Sequence, residues 1–248
     1  VFPRPEVLYG NTPYDGSGQG ALSTGVASLD AMIRAGGLPE SSATVVVGST
    51  GTGKTTLGLH FLSRSSPQEP GLLFGFFEPP ERVHLKARAF GMDIQALQAN
   101  GALTLMWHSQ GEHMLDQLAH RLVNEVTTRK AKRVVIDGLS GFFESAVYPE
   151  RTGRFFSCLT NELRERGATL LMTMETRDAV TNTISAQYGV SGFVDNLVFL
   201  RFVETDGRMQ RLLSIVKMRD SDYDHGVRTL DITSSGMHVA GLIASGGA

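Results

Sequence analysis

One cysteine, Cys158, stands in the whole chain, so no disulfide can form within it, and a reducing compartment suits it. A lone thiol in a helical stretch reads as a small core residue. Charge of neither sign dominates: 23 Lys and Arg against 25 Asp and Glu leave a formal net charge of −2. No overall field therefore draws the protein to nucleic acid or to an acidic membrane. Long apolar runs are missing as well. The longest, such as Gly71-Leu72-Leu73-Phe74-Gly75-Phe76-Phe77, have the length of a strand and cannot span a bilayer. No positive-then-apolar leader pattern opens the sequence, and a cytoplasmic protein is expected. The seven histidines show no close ligand spacing with Cys or paired carboxylates, which argues against a zinc site.

What is present is an ordinary globular composition, 41% hydrophobic and 19% charged, over 248 residues. At this length an α/β fold is commonly one domain. The expected organisation is an irregular arm over residues 1–22, a single domain over 23–240 and a flexible tail over 241–248.

The most informative stretch is Val45-Val46-Val47-Gly48-Ser49-Thr50-Gly51-Thr52-Gly53-Lys54-Thr55-Thr56-Leu57. It reads as a buried strand, a glycine-rich loop and a helix, and it satisfies the full G-x-x-x-x-G-K-[ST] pattern of a phosphate-binding loop. Gly48, Gly51 and Gly53 let the backbone turn so that successive N–H groups point inward at phosphate oxygens. The nucleotide set is therefore Ser49, Thr50, Gly51, Thr52, Gly53, Lys54, Thr55 and Thr56. Lys54 would neutralise β- and γ-phosphate charge, and the Thr55 hydroxyl would ligate magnesium. The cofactors implied are ATP and Mg2+.

Around this loop, strand and helix alternate. Strands are expected at Ala43 to Val47, Leu72 to Phe77, Leu103 to Trp107, Arg133 to Asp137 and Thr169 to Met174. Helices are expected at Thr55 to Arg64, Glu81 to Phe90, Ile94 to Gln98, Met114 to Arg129 and from Thr152 to Arg166, with a short one through Arg34 capped by Ser28. Residues Gly138 to Thr152 read as a loop, and Trp107 as core or interface. The alternation marks a mostly parallel sheet with helices on both faces. Two later strands, Leu197 to Val203 and Gln210 to Met218, form a hairpin around Thr205-Asp206-Gly207, and short strands at Arg228 to Ile232 and Met237 to Val239 follow. Asp137 ends an apolar strand in the Walker B manner and is a second metal candidate. Glu78, past the end of the second strand, is either the group that orients or deprotonates a water or a carboxylate at the start of the Pro-initiated helix. Lys217 and Arg219 alternate on one strand and project to one side, as partners of a site or as solvated edge cations.

Thr24 to Asp30, the phosphate loop, Phe77-Glu78-Pro79-Pro80, Phe90-Gly91-Met92-Asp93, Asp137, Tyr188-Gly189-Val190, Lys217-Met218-Arg219 and Gly236 to Val239 together resemble the KaiC-like branch of the RecA/RadA ATPases. The resemblance runs from about Leu22 to Val239 and implies a RecA-like α/β domain in a ring, six subunits being expected, with ATP between neighbours. It implies that Lys217 and Arg219 reach the γ-phosphate of the adjacent subunit and that Phe90 touches the adenine, which Phe90 as a core residue would not. Relatives usually show two adjacent glutamates where this chain has Phe77-Glu78, so slow hydrolysis is expected. They also include an autokinase domain with an adjacent Ser-Thr pair, whereas the segment Thr176 to Tyr188 holds Thr181, Thr183 and Ser185 with no such pair. Autophosphorylation is not expected. Three functions follow: a regulatory or signalling ATPase with protein partners, a nucleotide-gated assembly module with negligible hydrolysis, or a DNA-dependent recombination motor. The loops that would grip DNA offer Arg151, Arg154 and Arg177 against Glu144, Glu150, Glu175 and Asp178, which is no basic groove.

Overall fold

The structure, a computed structural model, describes residues 2–9, 20–109, 114–176, 192–205 and 207–242. In chain order the elements are α1 (Pro5–Leu8), β1 (Ala21–Leu22), α2 (Ala27–Asp30), β2 (Leu38–Pro39), β3 (Ala43–Gly48), α3 (Lys54–Ser63), β4 (Gly71–Gly75), α4 (Pro80–Ala89), α5 (Ile94–Ala99) and β5 (Leu103–Trp107). Then follow α6 (Leu115–Arg129), β6 (Arg133–Asp137), α7 (Ser140–Glu144), a 3-10 turn at Pro149–Arg151, α8 (Thr152–Glu165), β7 (Thr169–Glu175), β8 (Asn196–Thr205), β9 (Arg208–Lys217), β10 (Arg228–Thr233) and β11 (Gly236–Leu242).

Nine strands form one sheet in the order β11-β10-β9-β8-β3-β7-β6-β4-β5. The six from β5 to β8 are mutually parallel, and β9, β10 and β11 continue the sheet antiparallel. The mostly parallel α/β fold with an antiparallel carboxyl-terminal extension is thus present. Continuous apolar strands are what such a sheet requires, since both its faces are covered. Ala43, Val45 and Val47 of β3, with Leu170, Met172 and Met174 of β7, face the core under α6, α7 and α8. Val46 and Leu171 face the opposite core under α2, α3, α4 and α5.

Several local expectations change. Ser28 does not cap α2, which begins after Val26 without a side-chain cap; its Oγ instead accepts from Val239 N at 2.7 Å and ties α2 to β11. The helix ends at Asp30 rather than near Arg34, because Asp30 turns back to accept from Thr24 N at 2.7 Å and from the Ser23 and Thr24 hydroxyls. The second strand stops at Gly75, two residues early, where Phe76 turns into the core and Phe77 into a cleft. The span Gly138 to Thr152 is not a plain loop, since it contains α7. Trp107 is not core; it ends the edge strand β5 and is 45% exposed. Cys158 is buried in α8, as its type suggested. The expected arm holds α1, whose Glu6 pairs with Arg151 at 2.9 Å, and Arg151 in turn pairs with Asp116 of α6 at 2.9 Å. Residues 241–242, placed in the tail by sequence, are in β11. Thr181, Thr183, Ser185, Tyr188, Arg177, Asp178 and Asp206 lie outside the described residues.

Candidate nucleotide site

In an open parallel sheet, side chains converge at the carboxyl ends of the strands. There a cleft of about 910 Å³ lies between the loop after β3, the face of α4 and the ends of β6 and β7. Gly53 opens α3 with φ +109, and a Cβ there would stand 2.5 Å from Ile232 Cδ1, so β10 closes directly over the loop and only glycine fits. Lys54 folds back on its own loop, donating to Gly48 O at 2.9 Å and Ser49 O at 2.8 Å. Burial lowers its ammonium below the ordinary value, against the pull of Glu175 and Asp137.

Thr55 and Asp137 meet, with the hydroxyl oxygen 3.2 and 3.1 Å from the two carboxylate oxygens. From β7, Thr173 donates to Asp137 Oδ1 at 2.7 Å and accepts from Gly138 N at 2.8 Å. Burial pushes the Asp137 carboxyl upward, the Thr173 and Thr55 hydrogen bonds oppose it, and Glu78 adds to the rise. A hydroxyl and a carboxylate side by side are hard oxygen donors suited to Mg2+. Among the described residues no cluster of three or more His, Cys, Asp or Glu could hold a metal by itself.

Glu78 lines the same cleft and pairs with Lys86 of α4. No side chain caps α4, so Glu78 is not its hydrogen-bonding cap. Phe77 is 51% exposed at the cleft wall, and its ring lies so close that a Cβ on Gly138 would stand 2.1 Å from it. Phe90, the residue after α4, also lines the cleft, partly buried against the core. Of the loop residues expected at the nucleotide, Thr50, Gly51, Gly53, Lys54, Thr55 and Thr56 line the cleft. Thr52 is fully buried and donates to Ser49 O at 2.8 Å, so it shapes the loop from behind.

Lys217 and Arg219 stand elsewhere. Lys217 pairs with Leu197 and Leu197 with Val45, so the end of β9 lies toward the beginning of β3, away from the loop that follows Gly48. The Lys217 ammonium donates to Val194 O at 2.6 Å, and the Arg219 guanidinium lies 3.6 Å from Asp195 Oδ1. Asp195 is itself fastened to Arg164 and to Ala43 N, the first residue of β3, at 2.8 Å. Six strand residues at about 3.3 Å each separate the two edges of β3 by roughly 20 Å.

Sequence reasoning missed several cleft residues. Arg211 reaches from the other end of β9, its Nε donating to Gly51 O at 3.2 Å and its guanidinium 5.2 Å from the Phe202 ring centre. Glu175 accepts from Thr50 Oγ1 at 2.5 Å. Arg82 and Lys86 face in from α4. The 3.6-residue period of α4 was the available signal for the last two; nothing local marked Arg211, which meets the loop only through the sheet.

Comparison with known proteins agrees with this geometry. A family described as "ATPase: KaiC" matches residues 22–242. The chain is similar to the circadian clock oscillator protein KaiC of Synechococcus elongatus, 33% identical over 215 residues, covering 82% of this chain and 41% of the relative. It is similar to KaiC of Acaryochloris marina, 32% identical over 215 residues with 82% and 41% covered, and to the circadian clock protein KaiC3 of Synechocystis sp., 33% identical over 216 residues with 83% and 42% covered. The chain spans about two fifths of the length of these curated relatives. With a phosphate loop, a Walker B aspartate and a RecA-like sheet in place, and a match across most of its length, the chain belongs to the KaiC family of ATPases.

Proposed function

We propose that the chain is a magnesium-dependent ATPase of slow turnover that works as a ring, expected to be a hexamer, with ATP bound between subunits. The observation that carries this reading is the division of charge. Lys54, Thr55 and Asp137 line one cleft at one edge of the sheet, whereas Lys217, the last residue of β9, and Arg219, two residues beyond it, are held toward the other edge. Within one subunit the two sets are too far apart to serve one phosphate; stacking subunits head to tail would bring one set against the other. Thr55 and Asp137 would hold the metal, which would screen the phosphate charge. Lys54 would leave the Gly48 and Ser49 carbonyls for the β- and γ-phosphates, Glu78 would receive the water proton, and Phe90 would lie against the base.

The output is regulatory or signalling, exerted through protein partners, in the cytoplasm. Among the described residues no helix is long and apolar enough to cross a membrane. A DNA motor is disfavoured because Arg151, in the span that follows β6, is consumed by Glu6 and Asp116. The second reading, a nucleotide-gated assembly module, is favoured by Phe77 at the cleft wall, a ring where the family resemblance implies a carboxylate.

The test is magnesium-dependent ATP hydrolysis per subunit across a wide protein concentration range, beside a Lys54→Ala control. Specific activity that rises and then saturates is expected. Flat activity in a protein shown to be monomeric throughout would sink the shared site, and no ADP above the control would leave the assembly reading.

A further inference from the structure

One face of α4 forms the cleft wall opposite the phosphate loop. Arg82, Leu85, Lys86 and Ala89, with Phe90 just beyond the helix, recur at i, i+3, i+4, i+7 and i+8, and all line the cleft. From this stripe Lys86 reaches back to Glu78, and its Nζ donates to Glu78 Oε1. Both side chains are about 30% exposed, at 31% and 28%, so the pair is sheltered without being sealed. The second carboxylate oxygen is different. Oε2 is buried and has no donor among the described residues. The pair therefore splits Glu78, which lines the cleft with Lys54, Thr55 and Asp137, into one oxygen with a fixed partner and one covered oxygen without. A buried acceptor lacking a donor is costly, and sites of chemistry are where such costs are retained.

We propose that Lys86 is a positioning residue for hydrolysis: its ammonium pins Glu78 Oε1 and leaves Oε2, covered in this structure, as the atom that is uncovered to accept the hydrogen bond of the attacking water. The arrangement has the logic of a base oriented by a third group, with a lysine in the orienting role. It rests on the ATPase reading above and on Glu78 as its base. The step balances. The water oxygen bonds to the γ-phosphorus, the bond from that phosphorus to the bridging oxygen breaks with its electron pair leaving on ADP, and the water proton passes to Oε2 and then to solvent. Lys86 touches neither phosphate nor water in this scheme. Its effect should fall on turnover and pass entirely through Glu78.

The experiment is a double-mutant cycle on the assembled protein with Mg-ATP as the probe, comparing wild type, Lys86→Ala, Glu78→Gln and the double variant, with Lys86→Arg as the conservative change. Lys86→Ala should lower kcat about tenfold with KM within about twofold, and Lys86→Arg should restore most of it. In the Glu78→Gln background Lys86→Ala should do nothing further. Nucleotide binding and thermal unfolding report whether Lys86→Ala folds, and Lys86→Gln replaces it if it does not. A KM rise at unchanged kcat would make Lys86 a phosphate contact, and equal losses in both backgrounds would make it merely structural; either overturns the proposal, as does unchanged or faster turnover. Wild-type turnover in Glu78→Gln removes Glu78 as the base and the proposal with it. No wild-type hydrolysis above Lys54→Ala fails the ATPase reading itself, a distinct result.

Discussion

The two ends of β9 carry the same kind of charge and do opposite things. At its beginning Arg211 reaches the chain's own phosphate loop and donates to Gly51 O at 3.2 Å. At its end Lys217 donates to Val194 O at 2.6 Å, on the side where β3 starts. Six residues of strand separate them, about 20 Å at 3.3 Å per residue. One extended strand can thus offer a cation to its own cleft and, in the proposed ring, others to the next subunit's cleft. Reach along the strand, rather than charge, decides which cation serves which site.

Breaking the far end should have the largest effect. Arg219→Ala is expected to lower turnover by about 10³, the scale of an arginine finger, while nucleotide binding to isolated subunits stays unchanged. Mixing Arg219→Ala with Lys54→Ala subunits should recover activity, since each lacks a different half; no recovery in mixed rings would place both halves in one subunit. Next, Asp137→Asn should reduce hydrolysis about a hundredfold yet leave the nucleotide-free protein as stable or more so. The sign follows from burial, which raises the carboxyl in the folded state. The native protein then binds this proton more readily than the unfolded chain, and the resulting stability is lost as pH rises from the ordinary Asp range through the raised value. The variant's advantage in Tm should therefore grow as pH rises above the ordinary Asp range, and wild-type hydrolysis should fall as acid protonates Asp137.

Smaller effects belong to the near end and to the hairpin that closes over it. Arg211→Ala should raise KM for ATP about tenfold, ~1.4 kcal/mol, with little change in kcat, as steady-state kinetics would show. An equal loss in kcat would assign Arg211 to the transition state. Ser28→Ala removes the acceptor for Val239 N and should cost about 1 kcal/mol, lowering Tm by roughly 2–4 °C in thermal unfolding, without touching hydrolysis.

Much of the sheet was legible because its code is local. Five apolar runs of strand length separated by helical stretches can form only a buried parallel sheet, and Leu103 to Trp107 and Arg133 to Asp137 begin and end where their residues predict. Short elements were less legible. Ser140–Glu144 is too brief to show a helical period, and Ser28, a good cap by type, is taken by a strand more than two hundred residues away. At the site, the phosphate loop and Asp137 announced themselves through spacing. Thr173, Arg211 and Glu175 did not, because each is defined by a neighbour on another element, and for Lys86 the period of α4 gave the face but not its partner Glu78.

By itself the sequence determined the phosphate-loop motif, marked Thr55 and Asp137 as metal candidates, and determined the class of sheet that holds them, since glycine spacing and apolar continuity act over a few residues. Only the tertiary structure decided that Glu78 faces Lys86, that Phe77 lies over Gly138, and that Lys217 and Arg219 turn away from their own cleft. The reason is strand direction. A sheet that runs parallel through β8 and then reverses sends the two ends of β9 to opposite edges, and no local signal in a β-strand says which edge its last residues will meet.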